Sequence, residues 1–312
     1  MPISETSAPD SPPAVAAPQP KRGMSRTQKI LFFATGWLIV LMPFLFWWNT
    51  WFGRHLSDQQ VSEYLHDDKK PRHIQQALVQ ISDRMSHNDA AVWYPDLVRL
   101  ASDPVEEIRN TDAWVMGQNP SGAGFHETLL KMLSDSSATV RGNAALSLVR
   151  FGDAAGRPQI VALLQPAEVR VPTSGPVGES MPQGSWWDNG RTASVVDTAA
   201  PDTNLREGGV VAKLGVTTAA NVTSVVELRS PITGRVRTIE TQRGRQVHPG
   251  DLVAVVDPAT EQVWEALRAL YLVGTPEDLD VIRPYERELQ SISNDVRKQA
   301  VETEKAIQTR AK

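Results

Sequence analysis

Chemistry needs a nucleophile, a metal ligand set, a phosphate cradle or a placed acid–base pair, and this 312-residue chain can be searched for each. It has no cysteine. That removes thiol nucleophiles, thiolate zinc sites, cysteine-ligated iron–sulfur clusters, thioether-attached haem and disulfides together. The six histidines, at positions 55, 66, 73, 87, 126 and 248, are scattered, and no two share the helix-face spacing of a metal pair. GGVVAKLG (Gly208–Gly215) lacks the Gly-Lys-Ser/Thr ending of a phosphate loop, and neither a dinucleotide fingerprint nor a nucleophile elbow occurs. Acidic pairs such as Asp67-Asp68 and Glu106-Glu107 fall at expected helix starts, where they complement the macrodipole. The net charge of −4 gives no reason to expect nucleic acid as a partner. The expectation is a non-enzyme without catalytic, cofactor-binding or metal residues, whose chemistry is recognition.

Residues 1–28 are rich in proline, alanine and serine, lack a large apolar cluster and read as a disordered cytoplasmic tail. Lys21, Arg22, Arg26 and Lys29 then precede Ile30–Trp48, an uncharged apolar run. As a helix it would be roughly 28 Å long, close to the hydrocarbon thickness of a bilayer. The run is too long for a cleavable signal peptide and ends in bulky WWNTWF, with Trp47, Trp48 and Trp51 suited to an interfacial aromatic belt. The reading is one transmembrane helix over 29–53, meeting the lipid bilayer through Ile30–Trp48. The basic residues before it put the N-terminus in the cytoplasm and the bulk in the periplasm, as for a single-pass inner (cytoplasmic) membrane protein. Arg54, Lys69, Lys70 and Arg72 after the span weaken that charge asymmetry.

The pattern then becomes helical and repetitive. In LASDPVEEIRNTDAWVMG (Leu100–Gly117) and LSDSSATVRGNAALSLVRFG (Leu133–Gly152), Asp103 corresponds to Asp135, Arg109 to Arg141 and Ala113 to Ala145, always thirty-two residues apart. Each follows a short amphipathic segment, YPDLVRL or HETLLKML, as in a two-helix solenoid unit. Asp103, Arg109, Asp135 and Arg141 carry a resemblance to HEAT repeats. That resemblance implies an arginine that hydrogen-bonds the turn of a neighbouring unit, a structural role. Pro71–Met85 reads as an earlier second helix that caps the stack. The repeat pauses near Pro166 and resumes with EQVWEALRALYLVG (Glu261–Gly274). Asn294-Asp295-Val296-Arg297 restates the turn pattern.

Between these helices β-branched residues rise and glycines and prolines punctuate short apolar runs, which reads as β. SPITGRVRTIETQRGRQVHPGDLVAVVDP (Ser230–Pro258) places Gly234 before a strand, Gly244 in a turn, Val247 inward and Gly250 in a second turn; positive φ would explain such glycines. The spacing is similar to half of a biotinyl/lipoyl-like flattened barrel. Val171–Val177 and Arg206–Leu214 supply a weaker second half, with Gly208 and Val211 corresponding to Gly244 and Val247. A carrier domain of that family would need a lysine in the joining hairpin, yet Gly215–Arg229 has none and Lys213 lies within an apolar run. The shape is expected without the swinging arm. Similar lysine-free domains occur in periplasmic adaptor proteins. The long loop 178–204 contains Trp186 and Trp187, which either fold back on their own domain or anchor a partner.

The expected fold class is α+β multidomain: a disordered tail (1–28), a transmembrane helix (29–53), HEAT-like helical repeats (54–166), an inserted lipoyl-like β barrel-sandwich domain (167–258) with a flexible loop at 178–204, and returning HEAT-like helices (259–312). The expected function is a non-catalytic, membrane-anchored accessory, assembly or scaffold subunit that binds the subunits of a larger membrane protein complex, respiratory or photosynthetic. The alternative is a periplasmic adaptor of an efflux or secretion system. A lipoyl or biotin carrier is the third reading.

Overall fold

Serine caps and N-terminal prolines start most of the helices. Ser57 and Gln60 form a capping box ahead of α1 (Asp58–Leu65), and Pro71 opens α2 (Pro71–Met85). There follow α3 (Tyr94–Leu100), α4 (Glu106–Met116), α5 (Phe125–Met132), α6 (Ala138–Arg150) and α7 (Arg157–Ala162). After the β region the chain returns to helix as α8 (Thr260–Val273), α9 (Leu279–Ile282) and α10 (Asn294–Arg310). The computed structural model describes residues 55–87, 89–173, 192–217, 223–288 and 292–312, together with Arg26 and Thr35–Trp37. His55–Lys312 form one compact unit.

Among the described residues no helix is long and apolar enough to cross a membrane. This overturns the expected transmembrane helix and, with it, the single-pass inner-membrane and periplasmic placement. The longest described helix, α10, has 17 residues and the charge-rich sequence NDVRKQAVETEKAIQTR, so it is an amphipathic element of the core. Of the run that carried the expectation, Thr35–Trp37 are helical, and the rest lies outside the described residues with Trp47, Trp48 and Trp51.

The β region runs β1 (Ala167–Arg170), β2 (Thr192–Thr198), β3 (Asn204–Leu205), β4 (Val210–Thr217), β5 (Thr223–Arg229), β6 (Gly234–Ile239), β7 (Gln246–Val247) and β8 (Leu252–Pro258). They form two four-stranded antiparallel sheets, ordered β1-β8-β6-β3 and β5-β4-β2-β7. Among the described residues no closed barrel is formed, which corrects the expected barrel-sandwich. The edge strands β3 and β7 have two residues each, too short a row of backbone donors and acceptors to pair onward and close a cylinder. The sheets enclose a valine-rich core that includes Val169, Val195, Val211, Val247 and Val256.

Alternation explains the β core, and helical spacing explains the other two cores. One lies within α1–α6 around Leu65, Ile74, Leu97, Ile108, Phe125 and Leu148. The other joins α6 and α7 (Ala145, Val149, Ile160) to the C-terminal helices (Val263, Leu267, Leu270, Val296, Ala300, Ile307). The helices after the β region therefore pack on those before it. Their buried apolar faces stabilise this return by about 25 cal/mol for each Å² removed from water.

Candidate functional site

Three aspartates shape the helical turns. Asp103 accepts the Val105 N–H, Asp135 the Ser137 N–H and Asp153 the Ala155 N–H, each at 2.8 Å. The arginines behave in parallel: Nη1 of Arg109 donates to the Asp103 carbonyl at 2.8 Å, and Nη1 of Arg141 to the Asp135 carbonyl at 2.7 Å. Arg109 also reaches the next turn, donating from Nε (2.7 Å) and Nη2 (2.8 Å) to the two carboxylate oxygens of Asp135. This bidentate pair holds Asp135 below the usual carboxylate range and Arg109 above its ordinary value, the mutual hydrogen bond being the main cause in each. Arg141 has no such forward partner among the described contacts. His126 instead meets the third aspartate, Asp153, at 2.8 Å. Asp295 departs from the pattern, because it lies inside the first turn of α10 while Ser293 caps that helix.

The β region is tied to this ladder by a residue that sequence reasoning missed, Glu207. Its loop turns at Gly208 (φ +75°), and Gly208 N–H donates to the Ser230 carbonyl while Ser230 N–H donates to the Gly209 carbonyl, both at 2.8 Å. Glu207 N–H is held by the Thr233 hydroxyl at 3.0 Å. So placed, the Glu207 carboxylate accepts the N–H groups of Ala138 and Thr139 at 2.8 Å each and the Thr139 hydroxyl at 2.6 Å. These are unpaired donors at the first turn of α6, where a carboxylate is favoured by both hydrogen bonding and the macrodipole. The Ser137 hydroxyl lies between two carboxylates, 2.9 Å from Glu106 and 3.2 Å from Glu207. The correspondence of Gly208 to Gly244 was visible in the sequence; its acidic neighbour's target was not.

Beside this latch, the β region and the C-terminal helices enclose a cleft of about 1200 Å³. Its walls include Asn204, Arg206, Thr233, Arg235, Arg237 and Tyr285. Arg235 pairs with Asp202 at 3.3 Å, and Arg237 Nε donates to Asp257 at 3.0 Å. Tyr285 donates to the Leu164 carbonyl at 2.6 Å, and burial, with Asp257 nearby, pushes its phenol up to about 12. A phenol so held is a donor and a packing surface at neutral pH. Nearby, burial and a hydrogen bond with Glu304 push Glu286 up to about 7.

The predicted β glycines divide by cause. Gly244 and Gly250 have φ of +87° and +84°, as the turns require. Gly234 does not: it begins β6, and an added Cβ would meet the Asp257 carbonyl oxygen of β8 at 1.8 Å. Lys213 lies in mid-strand on β4, facing Glu227 of β5 at 3.8 Å. Trp186 and Trp187 lie outside the described residues. Among the described residues no three histidine, aspartate or glutamate side chains converge as a metal site. No family model matches the chain, and no curated protein matches it.

Proposed function

We propose that the chain is a non-catalytic scaffold or assembly protein that binds other proteins where its helical stack and its β region meet. The observation that carries this reading is Glu207. One side chain from the β region satisfies the first turn of α6 and holds the two parts as a single surface around the cleft. Clefts of this kind between packed modules are common recognition sites. Recurrence of the Asp-turn and the Arg109 and Arg141 bonds supports a HEAT-like stack, and such stacks present extended binding faces. A carrier role has less support, because Lys213 is a cross-strand ion-pair partner away from any hairpin tip.

The test is site-directed photo-cross-linking of the full chain in its native extract. Benzoylphenylalanine at Asn204 or Glu261 should give discrete protein adducts, and the same group at Val79, exposed on α2, should not. The intact chain should keep its unmodified mass. Added lipoate or biotin on Lys213, or equal cross-linking from Val79, would count against the scaffold reading.

A further inference from the structure

The C-terminal helices α8 and α10 lie side by side and run in the same direction. Thr303 donates to the Leu267 carbonyl at 2.9 Å, and Arg310, farther along α10, reaches the Leu270 carbonyl at 3.4 Å and that of Gly274 at 3.0 Å. Their outer sides leave a groove of about 540 Å³ with Trp264 and Val296 at its floor. Glu261, Glu265, Asp295 and Glu302 line it against a single lysine, Lys298. On α8, Trp264, Arg268 and Leu272 share a face at i, i+4 and i+8, and Leu272 is 61% exposed. The Arg268 guanidinium sits 4.6 Å over the Trp264 ring and pairs with Glu265 at 3.6 Å. This tryptophan face, edged by carboxylates, thus already holds a cation.

We propose that this groove docks a short amphipathic helix of a partner protein, with leucine-like residues on its apolar side and lysine or arginine along its flanks. Two parallel helices form a channel that accepts the apolar ridge of a third. Of that face only Trp264 lines the groove; exposed Leu272 lies about two turns farther along α8, beyond the groove's lining, where it can extend the apolar contact. The charges choose the flanks. Glu261 and Asp295 lie in the first turns of α8 and α10, where the macrodipole partly offsets them. Glu302 lies farther along and is left to meet a basic partner, and Glu265, which pairs with Arg268 at 3.6 Å, can exchange that pair for a partner's cation, while an acidic helix would be repelled. The groove shares Thr260, Glu261, Ser293 and Val296 with the larger cleft, so this inference deepens the scaffold reading and rests on it.

The test uses the full chain and two fluorescein-labelled, two-heptad peptides with the same leucine pattern, one flanked by lysine and one by glutamate. In anisotropy titrations the lysine peptide should bind at least about tenfold more tightly than the glutamate peptide, with affinity falling as salt rises. The double variant Glu265→Gln/Glu302→Gln, which alters exposed side chains only, should weaken the lysine peptide by about fivefold to tenfold. Trp264→Ala should weaken both peptides by removing their common apolar floor. Equal binding of the two peptides, or an affinity unchanged in the double variant, would overturn the proposal. That failure is separable from failure of the scaffold reading: partner adducts at Asn204 would persist in the first case and be absent in the second.

Discussion

Replacing Glu207 by alanine removes the acceptor for two backbone N–H groups and one hydroxyl of α6 without touching any of the three hydrophobic cores. A hydrogen bond to a charged group contributes about 1.5–3 kcal/mol, and a carboxylate at a helix N-terminus about 0.3–1 kcal/mol more. These do not add fully, because the site is only partly buried and water can reach the freed amides. Ser137 also keeps its own bond to the Val140 N–H. The net loss should be about 2–3 kcal/mol, comparable with a severe loss of a helix cap. Glu207→Gln retains one acceptor and should lose about 1 kcal/mol. In a unit the size of His55–Lys312, each 1 kcal/mol shifts the melting temperature by about 2–4 °C, so scanning calorimetry should show a fall of roughly 4–12 °C for the alanine variant. Hydrogen exchange adds a local readout: the Ala138 and Thr139 amides should lose protection before the rest of α6 does. A Thr139→Ala, Glu207→Ala double-mutant cycle should return a coupling of about 1 kcal/mol. A melting shift below about 1 °C with unchanged amide protection would refute the latch.

Arg109→Ala leaves Asp135 largely buried without its bidentate partner and should cost about 2–4 kcal/mol in urea unfolding at neutral pH. Because Asp135 is held below the usual carboxylate range in the folded chain, that stabilisation is present above the ordinary carboxylate pKa and lost as pH falls through the lowered one. The gap between wild type and variant should therefore narrow in acid. Gly234→Ala drives a methyl group into the Asp257 carbonyl; circular dichroism of the variant should show a melting temperature at least about 6 °C lower, equivalent to roughly 2–3 kcal/mol. Asp112 is fully buried, neither of its carboxylate oxygens has a hydrogen-bond partner, and burial raises its pKa well above the usual range. Stability linked to this group is full below the unfolded pKa and declines as pH rises toward the folded one, so Asp112→Asn should flatten the fall in melting temperature between acid and neutral pH.

Much of the helical part was legible because its signals are local. Pro71 through Met85 reads as a helix from its own spacing and is one, and the Asp103/Asp135 and Arg109/Arg141 correspondence reappears as matching hydrogen bonds. Turn glycines 244 and 250 were equally plain, since a positive φ is a property of one residue. Gly234 was recognised for the wrong reason: its constraint comes from β8 rather than from its own turn. Length and lack of charge suggested a membrane span; the described helices bear instead the charged outer faces of packed, amphipathic elements.

What the sequence determined by itself was periodicity, capping and turn chemistry, because each depends on residues a few positions apart. That suffices for helices on either side of a β region, for the aspartate turns and for the absence of any thiol. Tertiary structure alone decided how the parts meet. It brought Glu207 to amides nearly seventy positions earlier in the chain, buried Asp112 away from a partner, left the sheets unclosed at two-residue edges and set Trp264 among carboxylates from two helices. Such contacts depend on loop closure and on the packing of distant faces, and neither leaves a local pattern to read.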